Sequence, residues 1–467
     1  MNRGLTLGTR TKLIAGALAL VLAGLTHASG TQVGGGATLP SIGYVGSNAA
    51  SNLQVWNGTG SPATIATGSL FGQYIAQSGN PNVSYCLTGS GAGKDVLAGP
   101  ITLTVNGVVT TFNVQNACQK NSVGTVPGFG AGLTGVNRSD LTQPDFAAAD
   151  SPLSAGDISN YHTGHGSTAW PTEFPAVAGA IAIAFNLTDD QGTKVTAANF
   201  TDAQICSIFS GAVTNWSDSS LSGALTLTSG HTVNQKINVV YRSDGSGTTF
   251  SFANHLANVC SGTASAHFVT DQTFTNVVAK FEPSIPSNWV GASGNAAVAN
   301  GIQGNGASIG YVETANALQT NPTISIAKVG GLSPTANFNN KLTINLADIA
   351  YNSVINGADA TTGVAVVQAL SSPPSTQCIA LVQPSHYATP GTIVPTGSYP
   401  IVAISYLMGN AQGNGTDLTN ARNLLEAPYN ATIQAGVTTI GGSTGLQFLT
   451  PGRGSFTAAQ VGACLAN

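Results

Sequence analysis

A chain of 467 residues that is 42% apolar has enough material for two or three domains and a sizeable core. Only 7% of it is charged, its formal net charge is −4, and no Lys/Arg cluster occurs, which excludes a nucleic-acid binder that works by neutralising backbone phosphates. Its 58 glycines and frequent Ser, Thr and Asn describe a surface made polar by hydroxyls and amides, as in secreted and cell-envelope proteins.

The N-terminus supports that compartment. Arg3, Arg10 and Lys12 precede "LIAGALALVLAGL" (13–25), an apolar run short for a membrane span, and "THA" then offers small residues for cleavage after Ala28. Residues 1–28 are therefore expected to be a signal peptide, and no cysteine stands near its end for a lipid. Three of the 14 basic residues leave with it, so the remainder carries 11 basic against 18 acidic residues, a net −7. An anionic ligand must then be held by local groups against the overall field. Export also explains the cysteines. All six, Cys86, Cys118, Cys206, Cys260, Cys378 and Cys464, lie beyond residue 28 and none forms a CxxC, so they read as disulfides. Their order alone leaves fifteen pairings open.

Short β-branched runs follow along the chain: "ITLTV" with "VVTTFNV", then "AIAIAF", "INVVY", "ASIGYV" and "PIVAISYLM". Helical patterns alternate with some of them. In "TDAQICSIFSG", Thr201 and Gln204 have capping-box spacing and the run stops at Gly211. "GTTFSFANHLANV" sets Phe252 and Leu256 one turn apart, and "TDLTNARNLLEAPYN" ends at Pro428. The alternation predicts α/β layers with substantial parallel pairing. Residues 94–142 are Gly-rich with hairpin-like pieces and read as an insertion on a loop.

Chemistry concentrates where strands run into glycine turns. In "INVVYRSDGSGTTF" a strand ends at Tyr241 and a helix starts near Ser246, so orphan N–H groups of the first turn face one point. Ser246 and Thr248 add hydroxyls, Gly247 permits close approach, and Arg242 offers a fork for two oxygens of a tetrahedral anion, oriented by Asp244. "GGGATLP" (34–40) carries Thr38, and "VSYCLTGSGAGKD" (83–95) runs from a strand into a second glycine turn with Ser90. The latter is not a P-loop: its glycine spacing is one residue short and Asp95 replaces the magnesium-binding hydroxyl. "DFAAADSPLS" (145–154) ends an apolar run on Asp150. A carboxylate there accepts the O–H of a protonated oxyanion such as hydrogen phosphate, and repels sulfate, which has no proton to give.

These blocks, with "EFPAVAGAIAIAFN", "ICSIFSGAVTNW" and "IGYVE" in the same order, resemble the periplasmic phosphate-binding proteins of ABC importers, and above all their DING branch. Agreement spans most of residues 34–313 and then weakens. The chain departs from the pattern in reading "SGTQVGGG" where that branch has Asp-Ile-Asn before its glycines, and in long stretches at 46–80 and 94–142. The resemblance implies a two-lobe α/β fold of the periplasmic-binding-protein (type II) class, ligand lying between lobes joined by two crossings. The crossings are expected near Ala184–Asn186 and Tyr399–Ala403, giving lobe I as 29–185 plus 400–467 and lobe II as 186–399. Neighbouring cysteines are then expected to pair, Cys86–Cys118, Cys206–Cys260 and Cys378–Cys464, each closing a loop within one lobe. The implied ligand set is Thr38 and Leu39, Ser90, Asp150 accepting the phosphate proton, Arg242 held by Asp244, and Ser246, Gly247 and Thr248. No metal or cofactor is implied. The expected partners are inorganic phosphate and an inner-membrane ABC permease, with the protein a monomer in the periplasm or secreted. An alkaline phosphatase of DING type acting on phosphate esters is the alternative. It is placed second because no metal cluster is visible and a cage closed on four oxygens leaves no room for a leaving group.

Other motifs carry less. His162 and His165 form an HxxH without a nearby Glu, and "GGSTG" (441–445) matches a nucleophile-elbow pattern with no helix after it. Asp189 and Asp190 in "NLTDDQGT" read as a turn.

Overall fold

The computed structural model describes residues 30–46, 53–61, 63–105, 107–120, 125–319, 324–338, 342–374, 377–452 and 457–467. The expected signal peptide lies outside the described residues. The strands that frame the molecule are β1 (Gln32–Gly35), β2 (Gln54–Trp56), β3 (Val83–Cys86), β4 (Ala147–Ala149), β5 (Pro171–Asn186), β6 (Asn238–Arg242), β7 (Val290–Ala292), β8 (Ser308–Glu313) and β9 (Val402–Asn410). The helices that matter to the cleft are α1 (Ser90–Leu97), α2 (Ala155–His165), α3 (Asp202–Phe209), α4 (Gly247–Val259), α5 (Asn295–Gly304) and α6 (Leu418–Glu426).

β5 is the spine. From Phe174 to Phe185 its sequence is an unbroken apolar run, and the strand is buried almost throughout, as a strand covered on both faces must be. Its first part, Pro171–Ala180, pairs with β9, and its last part, Ile181–Asn186, pairs with β8. One strand therefore pairs with two partners, and the change falls at Ala180–Ile181. The chain returns beside that point: Ile181 N–H donates to Ile401 O, and the Tyr399 hydroxyl donates to Ile181 O. A bulge separates Ser405 from Tyr406 opposite Pro175, whose missing N–H could not continue the ladder.

On one side the order is β2-β3-β1, and a parallel bridge from Gly36 to Ala148 carries it on to β4, β9 and β5. On the other it is β5-β8-β6-β7. Parallel pairing is confined to β1–β3, β6–β7 and β6–β8 among these strands, while β5 runs antiparallel to both β8 and β9. The spine departs from the parallel expectation because β9 returns alongside β5 after the whole second lobe has been inserted between them.

Local signals hold where they are strong. Thr201 and Gln204 form the full capping box of α3. Ser154 and Asp157 cap α2 in the same way. Gly-rich 94–142 is not one unit: Lys94–Leu97 complete α1, and only then does the hairpin Ile101–Val105/Val108–Phe112 begin. Phe112, Val114, Phe129 and Val136 bury into the main core, and the segment is tied to β2 and β3 by the Gln54 Nε2 bond to Phe129 O at 2.9 Å and by the Cys86–Cys118 disulfide.

Disulfides join Cys86–Cys118, Cys206–Cys260 and Cys378–Cys464. The third ties residue 378 to the C-terminal segment, and two further links run the same way: a bridge from Glu173 to Ile379, and Val382 N–H donating to the Tyr406 hydroxyl at 3.1 Å. Residues 349–382 also reach the segment after α4, where Thr270 N–H donates to Gly363 O at 2.8 Å.

Lobe I also holds a buried ion cluster. Arg138 reaches Asp417 at 2.7 Å and Asp145 at 3.6 Å, and Asp145 accepts the Val33 N–H at 2.7 Å. Removing the cation leaves two carboxylates in a dry place. Arg138→Met is expected to lower stability by about 3–5 kcal/mol, read as the shift in urea midpoint near pH 7.5. A shift within error would show that water reaches the cluster.

Candidate functional site

Four chain segments end at the face between the lobes. After β1, the chain passes Gly36 and Ala37 into Thr38 and Leu39, pinned by Gly36 N–H to Cys86 O and Ala37 N–H to Ala148 O. β3 leads through Gly89 into α1, which opens on Ser90. Gly89 has φ of 93°, and a Cβ there would stand 2.5 Å from Asp244 Oδ2, so glycine is needed twice over. β4 ends at Asp150. From lobe II, β6 ends at Arg242 and α4 begins after Ser246.

These segments converge, and the contacts are specific. Arg242 is buried and grips Asp244 with two prongs, Nε to Oδ1 at 2.7 Å and Nη2 to Oδ2 at 2.5 Å. Its third nitrogen, Nη1, donates to Thr248 Oγ1 at 3.2 Å. Asp150 N–H donates to Ser90 Oγ at 3.0 Å, and Asp150 packs on Gly247 so closely that a Cβ there would lie 2.5–2.6 Å from its backbone and Cβ. Ser246 caps α4 by accepting the Thr249 N–H at 3.0 Å, which leaves the first-turn N–H groups of Gly247 and Thr248 without an intrahelical acceptor. Thr38, Leu39, Ser90, Asp150, Arg242, Ser246, Gly247 and Thr248 are thus brought to one buried place, with Asp244 behind Arg242.

One residue of the site was not singled out from sequence. Asn295, fully buried at the start of α5, sends Nδ2 to Thr38 Oγ1 at 3.1 Å and to Thr248 Oγ1 at 3.0 Å. Its backbone N–H also reaches Thr38 Oγ1 at 3.3 Å, and its Oδ1 accepts the Glu313 N–H at 2.9 Å. Each threonine oxygen therefore accepts twice: Thr38 from two groups of Asn295, Thr248 from Asn295 and Arg242. A hydroxyl whose lone pairs are filled has only its proton left to offer. Asn295 thereby turns both threonines into donors. The one trace in the sequence is a further glycine turn, "SGNAAV", at a helix start.

Among these donors stands one acid. Burial pushes the Asp150 carboxyl up to about 7, against the lowering effects of Ser405, Arg242, the Leu39 N–H and Ser90. Its Oδ2 lies 3.4 Å from Ser90 Oγ, while its Oδ1, fully buried, has no hydrogen-bond partner among the described residues. A donor-rich socket with one unsatisfied acceptor fits an oxyanion that itself carries a proton. The lobes are closed on it: Gly91 N–H donates to Gly245 O at 3.0 Å, and Ser251 Oγ to Asp150 O at 3.2 Å.

The remaining motifs are accounted for locally. Lys94 of the "GK" pair is buried against Asp157 at 2.7 Å. His165 bonds to Leu97 O at 2.9 Å and His162 stands edge-on to Trp170. "GGSTG" forms a short 3-10 turn followed by a strand. Among the described residues, one group brings three metal-ligand atoms within 4.8 Å of one another, Asp189, Asp190 and His231. Its carboxylates already accept the N–H groups of Gln191, Thr193 and Thr232, which is turn chemistry.

Two α/β lobes closing on a polar cleft, with the chain crossing between them along β5 and again just before β9, define the bilobal binding-protein class. The chain belongs to the PBP superfamily, whose domain profile matches residues 103–415. Relatives include "Alkaline phosphatase L" of Pseudomonas aeruginosa, 30% identical over 54% of this chain and 55% of that protein. "Phosphate-binding protein PstS" of Xylella fastidiosa is 32% identical over 41% of this chain and 45% of its own. The chain thus spans about half the length of these curated relatives. In fold it is similar to a phosphate-binding protein from Stenotrophomonas maltophilia, with a TM-score of 0.55 at 20% identity over 90% of this chain and 91% of that one. It is similarly close to the periplasmic phosphate-binding protein PfluDING, at 0.54 and 22% over the same shares.

Proposed function

We propose that this protein binds inorganic phosphate between its lobes with high affinity, as an exported protein that delivers phosphate to an ABC permease or retains it outside the cell. The observation that carries the reading is the buried, unpartnered Oδ1 of Asp150 inside a ring of donors. A hydrogen phosphate ion fills that acceptor with its own O–H, while its other oxygens meet Thr38, Leu39 N–H, Ser90, Arg242 and the first turn of α4. The names of the PstS relatives support the same ligand, and the apolar N-terminal run supports export. In this reading lobe I comprises residues up to 180 with 349–382 and 402–467, and lobe II lies mainly in 181–342.

Arg242→Ala removes the one guanidinium of the socket. Phosphate affinity by calorimetry is expected to fall more than about a hundredfold, as for loss of a buried charged hydrogen bond, with circular dichroism unchanged. Near-normal affinity would overturn the assignment.

Asp150 governs selectivity. Its carboxyl is neutral below about pH 7 and charged above it, so repulsion of sulfate grows as pH rises through that value. Sulfate is expected to compete better at pH 5.5 than at pH 8.5 in the wild type. In Asp150→Asn the amide donates to sulfate at every pH, so discrimination drops about tenfold or more at pH 8.5 and its pH dependence flattens. Unchanged selectivity in the variant would remove Asp150 from this role.

The names of the phosphatase relatives give hydrolysis of phosphate esters a specific second claim. A closed cage without space for a leaving group disfavours it. Purified protein with a chromogenic phosphate ester is expected to show no turnover above that of the Arg242→Ala variant. Turnover abolished by Thr38→Ala or Ser90→Ala, with the fold retained, would establish the enzyme instead.

A further inference from the structure

Lys120 belongs to the Gly-rich insertion of lobe I, yet its side chain reaches lobe II. Its Nζ donates to the backbone carbonyl of Ser293. The next residue, Gly294, has φ of 85°, and a Cβ there would stand 2.7 Å from Lys120 Nζ and 3.7 Å from Thr38 Cγ2. The lysine therefore lies along the edge of the socket beside Thr38, on the loop that leads straight into Asn295. That loop is itself fixed to the Arg242 pair, because Gly294 N–H donates to Asp244 Oδ1 at 3.0 Å.

Lys120 is well anchored on its own side. Cys118, two residues earlier, is disulfide-bonded to Cys86 at the end of β3, the strand that delivers Ser90. The Lys120 carbonyl accepts the Thr125 hydroxyl at 2.9 Å. Burial lowers the ammonium's pKa, Asp244 raises it and Arg242 lowers it, so the group feels the charges of the socket directly. An ammonium on a flexible stem, bonded to a carbonyl of the opposite lobe, is a tie that exists only when the lobes are shut.

We infer that Lys120 is an inter-lobe latch, a positioning residue that holds the Ser293–Asn295 loop against lobe I and so sets the rate at which phosphate leaves. It rests on the phosphate reading for its ligand. It acts through closure and through the donors that Asn295 orients, without contacting the four oxygens. Affinity tuned in this way appears chiefly in the dissociation rate, because the tie must break before shut lobes can part, whether or not a guest lies between them.

The test uses the full-length protein and radiolabelled phosphate. In Lys120→Met, release is expected to be about tenfold faster, with association within about twofold of wild type and the melting temperature of the ligand-free protein unchanged. Lys120→Arg, which keeps a cationic donor, is expected to restore slow release. Small-angle scattering of the ligand-free proteins gives a second reading without any ligand: Lys120→Met is expected to show the larger radius of gyration. Release at the wild-type rate in Lys120→Met would overturn the latch. So would slower association with unchanged release, which would make the lysine a steering charge. Equal defects in both variants together with a lower melting temperature would reduce it to a structural residue and also overturn it. A wild type that failed to bind phosphate would sink the ligand assignment, and the scattering comparison would then decide the latch on its own.

Discussion

A guanidinium kept from water by a single carboxylate organises the whole cleft. Arg242 and Asp244 are both buried, so each needs the other, and a lone survivor would face a desolvation penalty of several kcal/mol. Asp244 also accepts from Gly294, which fixes the loop carrying Asn295, and Asn295 in turn sets the hydroxyls of Thr38 and Thr248. Arg242 reaches the same Thr248 from the other side. The donors of two lobes are thus slaved to one ion pair, so their geometry does not depend on the guest for its definition.

That economy explains a chain with so little charge. Arg138, Arg242 and Lys94 are all buried, as are Asp145, Asp150, Glu173 and Glu313. A sizeable share of the few charges thus lies inside, where it fixes distant segments to one another. Glu173 accepts the Leu153 N–H at 2.7 Å, and burial raises its carboxyl to about 8. It holds in place the stretch that follows Asp150.

Much of this was legible in the sequence where chemistry is local. A strand running into a glycine turn and a capped helix announces a nest of N–H groups wherever it occurs, and Ser246, Thr201 and Ser90 sit where that logic puts them. Asn295 was hidden because its meaning is remote: Thr38 lies 257 residues away, and nothing beside Asn295 records that contact. Lys120 was hidden by its setting, an aperiodic Gly-rich stretch in which a single lysine reads as surface. The change of partner along β5 was hidden for a related reason. From Phe174 to Phe185 the strand is one continuous apolar run, and no residue in it marks where β9 gives way to β8 as partner. Nor does anything near residue 378 announce its bond to Cys464.

The shared strand has a mechanical consequence. The partner change at Ala180–Ile181 lies beside the return of the chain at Ile401–Val402, so the two crossings sit together and are hydrogen-bonded. Two adjacent pivots make a hinge with one easy axis. Separation on opening therefore grows with distance from β5, and the cleft parts as a wedge, widest at the rim remote from the spine. Solute enters and leaves by that rim, and a restraint acts with the longest lever arm when it spans the gap there.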